Sequence, residues 1–307
     1  MKKWALLTLG IICYVLPLQA QKGASFEQKE VIYGRKDGMA LTMFVMKPSA
    51  KSNQRAIIHV VSGGWSSDQS WMNYYVNDSK PFIERGYTVF AVVHGSQPRY
   101  TIPDAVADVQ RAVRFIRHNA NEYKIDPNKI GITGSSAGGH LSLMMATMSD
   151  DRSTNVKDAV DRASARVQAV ACFYPPTDFL NFGQTGANLL QYKPVLAKRN
   201  LLAPFLFTQW DTASRYFAVV SDTARQHSIA KQMSPVNHIS SDDAPVLIIH
   251  GDADKTVPLQ QSQLIISRLE QANVPSKLIV RKGADHGWSG MNADRKEFVD
   301  WFDRYLK

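Results

Sequence analysis

One stretch limits the choice of fold more than any other: Ile130-Gly131-Ile132-Thr133-Gly134-Ser135-Ser136-Ala137-Gly138-Gly139-His140-Leu141. The run from Ile130 to Thr133 is rich in β-branched residues and reads as a buried strand. A turn of small residues follows, and Leu141-Ser142-Leu143-Met144-Met145-Ala146 reads as a helix. Gly134-x-Ser136-x-Gly138 therefore stands between a strand and a helix, the setting of a nucleophile elbow. The glycines have a steric reason. A serine projected from so tight a turn leaves no room for side chains two residues before or after it. The helix start behind the turn supplies backbone N–H groups and a positive dipole end for a developing oxyanion.

The rest of the chain repeats the alternation of strand and helix. Glu30 to Tyr33 and Leu41 to Met46 flank the turn Lys36-Asp37-Gly38 and predict an antiparallel hairpin at a sheet edge. Ala56 to Val61, Tyr87 to Val93, Val167 to Phe173, Val246 to His250 and Lys277 to Arg281 read as further strands. Pro103-Asp104 opens a helix with Val106, Val109, Val113 and Ile116 at helical spacing. Trp71 to Ile83 is helical in part, Val257-Pro258 opens a helix through Leu269, and Ala293 to Leu306 is the last helix. Such an order predicts an α/β class fold, a mostly parallel sheet with helices on both faces. Residues 180–232 break the rhythm. They carry Phe182, Tyr192, Phe205, Phe207, Trp210, Tyr216 and Phe217 and show no clear strand, so a cap-like insertion over the site is expected.

Composition narrows the class. With 307 residues, 44% hydrophobic and 21% charged, the chain can bury a large core. Its net charge is +9, yet no lysine- or arginine-dense block and no nucleic-acid motif accompanies it. A basic surface without nucleic-acid binding is the expectation. Lys2-Lys3, the apolar run Trp4 to Leu18 and the step from Ala20 to Gln21 resemble a signal peptide over residues 1–20. The run is too short for a spanning helix. Export to a periplasm or beyond, without stable membrane insertion, is expected. Bulky Ile12 before Cys13 argues against a lipoprotein site. Cleavage would leave Cys172 alone, with no disulfide, as a buried small hydrophobe.

A serine nucleophile needs a base, and the base an orienting carboxylate, here in the order Ser, acid, His. Gly251-Asp252-Ala253-Asp254-Lys255-Thr256-Val257-Pro258 directly follows one buried strand, and Gly283-Ala284-Asp285-His286-Gly287-Trp288 follows the last. Both loops leave the carboxyl ends of strands, where ligands bind in such sheets. Asp254 alone would be an ordinary turn former, and His286 an exposed loop histidine. Three hits in order, each just after a strand, point to the triad Ser136, Asp254 and His286.

Gly134-x-Ser136-Ala137-Gly138-Gly139-His140, His250-Gly251-x-x-Asp254-x-x-Val257-Pro258 and Asp285-His286-Gly287 resemble the α/β-hydrolase esterases. The resemblance is to the branch shared by feruloyl/acetylxylan esterase-like proteins, hormone-sensitive-lipase-like esterases and prolyl-oligopeptidase-like catalytic domains. Ile125-Asp126-Pro127-Asn128-Lys129-Ile130 also resembles it, and the likeness runs from residue 30 to the end. It implies Ser136 as nucleophile, Asp254 as acid and His286 as base. One departure stands out. The family usually has His-Gly-Gly before a tryptophan in its oxyanion loop, and this chain has Val61-Ser62-Gly63-Gly64-Trp65. Gly63, Gly64 and Ala137 are the candidate oxyanion donors; which loop amide donates is left open. His59 is a candidate organiser of the loop.

The resemblance implies a serine carboxylesterase without metal or cofactor, acting on a small-molecule or polysaccharide-linked ester. Trp65 and Trp288 flank the two loops and are candidate stacking partners for a sugar or aromatic acyl group. The triad alone leaves a peptidase or an arylformamidase-like amide hydrolase open, and a catalytically inactive binding protein is the alternative of another class. The oligomeric state is not legible.

Overall fold

The computed structural model describes residues 26–49, 51–150, 156–198 and 201–307, without the side chains of residues 192–195. The expected signal peptide lies outside the described residues. The chain begins with a long antiparallel hairpin, β1 (Phe26–Lys36) and β2 (Met39–Pro48). Then come β3 (Ala56–Val61), α1 (Met72–Glu84), β4 (Thr88–Val93), α2 (Ile102–His118), a single turn α3 (Ala120–Tyr123), β5 (Ile130–Ser135) and α4 (Ala137–Thr147). After β6 (Ala169–Phe173) the insertion carries α5 (Lys193–Lys198), a small hairpin of β7 (Thr208–Asp211) and β8 (Tyr216–Val219), and α6 (Thr223–Gln232). The chain ends with β9 (Val246–Gly251), α7 (Gln260–Gln271), β10 (Ser276–Arg281) and α8 (Met291–Tyr305).

Eight strands form one sheet in the order β1-β2-β4-β3-β5-β6-β9-β10. Only the pairings of β2 with β1 and with β4 are antiparallel. This is the α/β-hydrolase fold. Strand periodicity explains the two helical layers. In β3, Ala56, Ile58 and Val60 join one core cluster with α2, α4 and α7, while Ile57 and Val61 join the other with α1 and α8. In β9, Val246 and Ile248 take the first side and Leu247 and Ile249 the second. Buried on both faces, these strands are continuous apolar runs rather than alternating ones. α2 starts where Thr101 and Asp104 form a reciprocal capping box, and Val106, Val109, Val113 and Ile116 are buried along it.

The insertion corrects one expectation. Two strands do occur there, β7 and β8, with Trp210 paired to Phe217 across the hairpin. Trp210, Tyr216, Phe217 and Val219 are all exposed. No face of the hairpin is buried, so its sequence carries no alternation to detect. The remainder of the insertion is different. Leu189, Leu190, Leu196, Phe205, Phe207, Ile229 and Met233 belong to the same core cluster as α4.

Candidate active site

Ser136 stands at the carboxyl end of β5 with φ +53° and ψ −119°, a region that non-glycine residues seldom occupy. Two backbone bonds hold it there. Its N–H donates to the Phe173 carbonyl at 3.0 Å, and its own carbonyl accepts from His140 N–H at 2.9 Å. A β-carbon at Gly134 would lie 2.4 Å from the carbonyl carbon of Gly138, so the turn cannot close with any larger residue there.

The loops after β9 and β10 bring the other two side chains to it. His286 Nε2 is 3.0 Å from Ser136 Oγ. His286 Nδ1 is 2.7 Å from Asp254 Oδ2, and a carboxylate can only accept, so Nδ1 carries the proton. Nε2 is then free to accept the serine proton. Asp254 Oδ1 accepts from the N–H groups of Thr256 at 2.7 Å and Val257 at 2.8 Å. His250 Nε2 lies 3.3 Å from Asp254 Oδ2. Burial alone would raise the carboxyl of Asp254, but hydrogen bonds from His250, His286 and the Val257 amide outweigh it and hold it well below the usual carboxylate range. Asp254 is therefore charged throughout the neutral range and fixes the imidazole tautomer.

The acid loop and the histidine loop are stitched together. Ala253 N–H donates to the Ala284 carbonyl at 3.0 Å. Asp252 Oδ1 accepts from Gly283 N–H at 2.6 Å. Asp285 Oδ1 accepts from both Lys255 N–H at 2.9 Å and His286 N–H at 2.8 Å. Asp252 thus serves the loop and not the imidazole. Tyr174, just after β6, lays its ring 4.4 Å from that of His286. No motif announces it; only the fold places it there.

The oxyanion turn narrows the set of candidate donors. Gly63 and Ser66 exchange both backbone hydrogen bonds at 2.9 Å, while Gly64 at φ +56° and Trp65 at φ +57° form the corner. Positive φ at both corner residues is the type I′ geometry. The Gly63 amide, one of the candidate oxyanion donors, is therefore engaged within the turn by the Ser66 carbonyl. Among the described residues, the amides of Gly64 and Ala137 have no hydrogen-bond partner. The His59 Nδ1 pairs with Ser79 of α1 at 3.0 Å, and its ring meets the loop through Tyr75, against which it packs edge-on at 4.9 Å.

The aromatic stacking expectations also change. Trp65 is only 6% exposed. Its indole N–H donates to His140 Nδ1 at 3.1 Å, and it packs edge-on against Phe179 and Phe205. It forms one wall of the cavity, with its ring faces taken by protein. Trp288 does not line the cavity. Its indole N–H donates to Asp294 Oδ2 at 2.7 Å, and its ring packs on Phe173 and Tyr174. Phe207 is buried in the core, and Trp210 stands exposed on the hairpin.

Ser136 and His286 open into a cavity of about 620 Å³. The insertion supplies its apolar wall: Phe182, Leu189, Leu196, Leu201 and Phe205, facing Trp65, Val257 and Pro258. A β-carbon at Gly64 would lie 2.6 Å from Leu201 Cδ2, so the insertion presses directly on the oxyanion turn. A second cavity of about 680 Å³, lined by Asp178, Asn181 and Arg268 among others, contains no triad residue. Size does not select the site; the reactive groups do. Among the described residues, no group of three His, Cys, Asp or Glu side chains could hold a metal ion, and no helix is long and apolar enough to cross a membrane.

The family model BD-FAE matches residues 43–269, well over half of the chain. The chain belongs to the BD-FAE family. The match ends before His286, which lies outside it. This BD-FAE protein is 33% identical over 190 residues to the probable carboxylic ester hydrolase LipM of Mycobacterium tuberculosis, an alignment covering 62% of this chain and 39% of LipM. It is 26% identical over 297 residues to the acetylxylan esterase of Xylanibacter ruminicola, covering 95% of this chain and 50% of that one. The chain spans about half the length of the curated relatives it matches. Among solved structures, a truncated carbohydrate esterase from gut microbiota superposes with a TM-score of 0.73 at 24% identity, covering 92% of this chain and 97% of that chain. Butyrate-bound Est2 of Thermogutta terrifontis gives 0.68 at 24% identity, covering 92% and 94%. Those likenesses establish the fold.

Proposed function

We propose that this protein is an exported serine carboxylesterase that hydrolyses short-chain or aryl-acyl esters. The observation that carries the reading is the continuous hydrogen-bonded line from Ser136 Oγ through His286 to Asp254, opening into an apolar cavity. Ser136 attacks the ester carbonyl as His286 Nε2 takes its proton. Asp254 stabilises the imidazolium that results. The amides of Gly64 and Ala137 receive the oxyanion. His286 then returns the proton to the leaving alcohol, and a water molecule, activated by the same imidazole, releases the acid from the acyl-enzyme. The aliphatic wall from the insertion receives the acyl chain. The signal-peptide-like residues 1–20 support the reading that this chemistry takes place in the periplasm or outside the cell. There, acyl decorations of polysaccharide are the accessible esters, and the acetylxylan esterase among the relatives supports that choice.

The test is kcat/KM across acetyl, butyryl, octanoyl, palmitoyl and feruloyl esters sharing one leaving group. Acetyl to butyryl or feruloyl esters are expected to be the best substrates, and palmitoyl the poorest, in a cavity of about 620 Å³ walled by Leu189, Leu196, Leu201 and Phe205. A preference for palmitoyl would defeat the acyl-size reading. Peptide-amide cleavage at comparable efficiency would assign the site to amide hydrolysis. No turnover and no labelling of Ser136 by a fluorophosphonate would leave an inactive binding protein.

A further inference from the structure

The oxyanion turn is held by a histidine from a neighbouring strand. Ser62 precedes the turn and is buried, with 3% exposure. Its N–H donates to Tyr75 Oη at 3.0 Å, and its hydroxyl lies 2.9 Å from His94 Nε2. His94 follows β4 directly and is equally buried. His94 Nδ1 is 2.7 Å from the Gly95 carbonyl oxygen, which can only accept. The proton is therefore on Nδ1, Nε2 is an acceptor, and the Ser62 hydroxyl donates to it. Burial is the main cause that lowers His94 to about 4, against the Gly95 carbonyl and with the Lys36 charge, so the ring is neutral at pH 7.

The same segment grips the far end of the turn. Ser67 N–H donates to Ser96 Oγ at 2.7 Å, and Ser96 Oγ donates to the Ser67 carbonyl at 2.7 Å. His94 N–H donates to Ser67 Oγ at 3.2 Å. Gly95 N–H donates to Asp108 Oδ2 at 2.9 Å, which anchors the segment to α2. Both ends of the Gly63–Ser66 turn are thus tied to residues 94–96. A backbone donor stabilises an oxyanion only at the right distance, and its placement is set by what holds the loop.

We propose that His94, acting through the Ser62 hydroxyl, is the positioning residue that sets the Gly64 amide against Ser136. The inference rests on the reading of Ser136 as an esterase nucleophile. A residue that only filled space would be replaceable by any group of its size. A residue that aims the loop must accept the Ser62 proton. Gln can present an acceptor near the position of Nε2, and Leu cannot.

The experiment compares wild type with Ser62→Ala, His94→Leu, His94→Gln and the Ser62→Ala/His94→Leu double variant. It reads Tm, kcat and KM on a short-chain ester, and Ki for a trifluoromethyl ketone, whose adduct carries the oxyanion. Ser62→Ala and His94→Leu are expected to lower kcat about 10- to 100-fold. KM should hold while Ki rises by the same factor as kcat falls. His94→Gln should recover most of the loss, and the double variant should be no worse than the poorer single. Variants that lose Tm but keep kcat and Ki would make His94 a packing residue and overturn the proposal. If His94→Leu does not fold, Ser62→Ala, which removes a single oxygen, decides the matter. A wild type that neither turns over esters nor takes a fluorophosphonate overturns the nucleophile reading and this inference together; an active wild type with unaffected variants overturns this inference alone.

Discussion

Ser136→Ala is expected to lower kcat by about 10⁶-fold, the scale on which a triad nucleophile is lost. The variant should fold. The elbow is fixed by Ser136 N–H to Phe173 and by His140 N–H to the Ser136 carbonyl, and both are backbone bonds that alanine keeps. Alanine also tolerates the positive φ no worse than serine does. What disappears is the hydroxyl 3.0 Å from His286 Nε2 at the mouth of the cavity. Ser135 provides the control. It is one residue away and also a hydroxyl, yet the structure gives it no bond to His286. Ser135→Ala should therefore cost far less. The measurement is kcat on an acetyl ester for both variants, with fluorophosphonate labelling read by mass. Ser136→Ala retaining activity near that of wild type would move the nucleophile elsewhere.

Asp254→Asn is expected to cost about 10⁴-fold in kcat, with a folded protein and little change in KM. The direction follows from the bonds at each oxygen. Oδ1 accepts from Thr256 N–H and Val257 N–H, so an asparagine must put its oxygen there. Its NH₂ then points at His286 Nδ1. Two donors cannot face each other, so the imidazole would shift its proton to Nε2 and could no longer accept from Ser136. Asp252→Asn should be mild by comparison, because Asp252 only accepts from Gly283 N–H at the loop surface. Steady-state kinetics of the two folded variants checks the ranking; the reverse order would make Asp252 the acid.

Much of the scaffold is legible in the chain because it is written in burial. Ala56 to Val61 is an uninterrupted apolar run, and it forms a strand with those bounds, buried along its whole length. The edge hairpin is longer than its apolar centres suggest: β1 and β2 extend well beyond them, since pairing continues where burial stops. The hairpin of β7 and β8, exposed on both faces, leaves no such apolar signal. At the site, motif spacing brought out Ser136, Asp254 and His286 because each follows a strand in a fixed chain order. Three things were not legible. The Gly63 amide is engaged by Ser66 through a turn whose hand depends on two positive φ angles. The Trp288 ring is turned onto Phe173 by packing across the sheet end. His94 reaches Ser62 from 32 positions along the chain with no local signature. Hydrogen bonds between distant loops leave no period in a sequence.

The insertion has a consequence for how such a protein could change. Its leucines and phenylalanines do two jobs: they line the cavity beside Ser136, and they pack into the core behind the elbow helix. A detachable lid could drift in sequence and try new substrates at little risk to the fold. Here each widening of the pocket at Leu189, Leu196 or Phe205 also opens a void in the core, at about 2–5 kcal/mol for a large-to-small change. That is a sizeable share of the stability of an ordinary domain. A change that widens this pocket therefore needs compensating changes elsewhere in the core, so the shape of the cavity is held by folding stability as well as by chemistry.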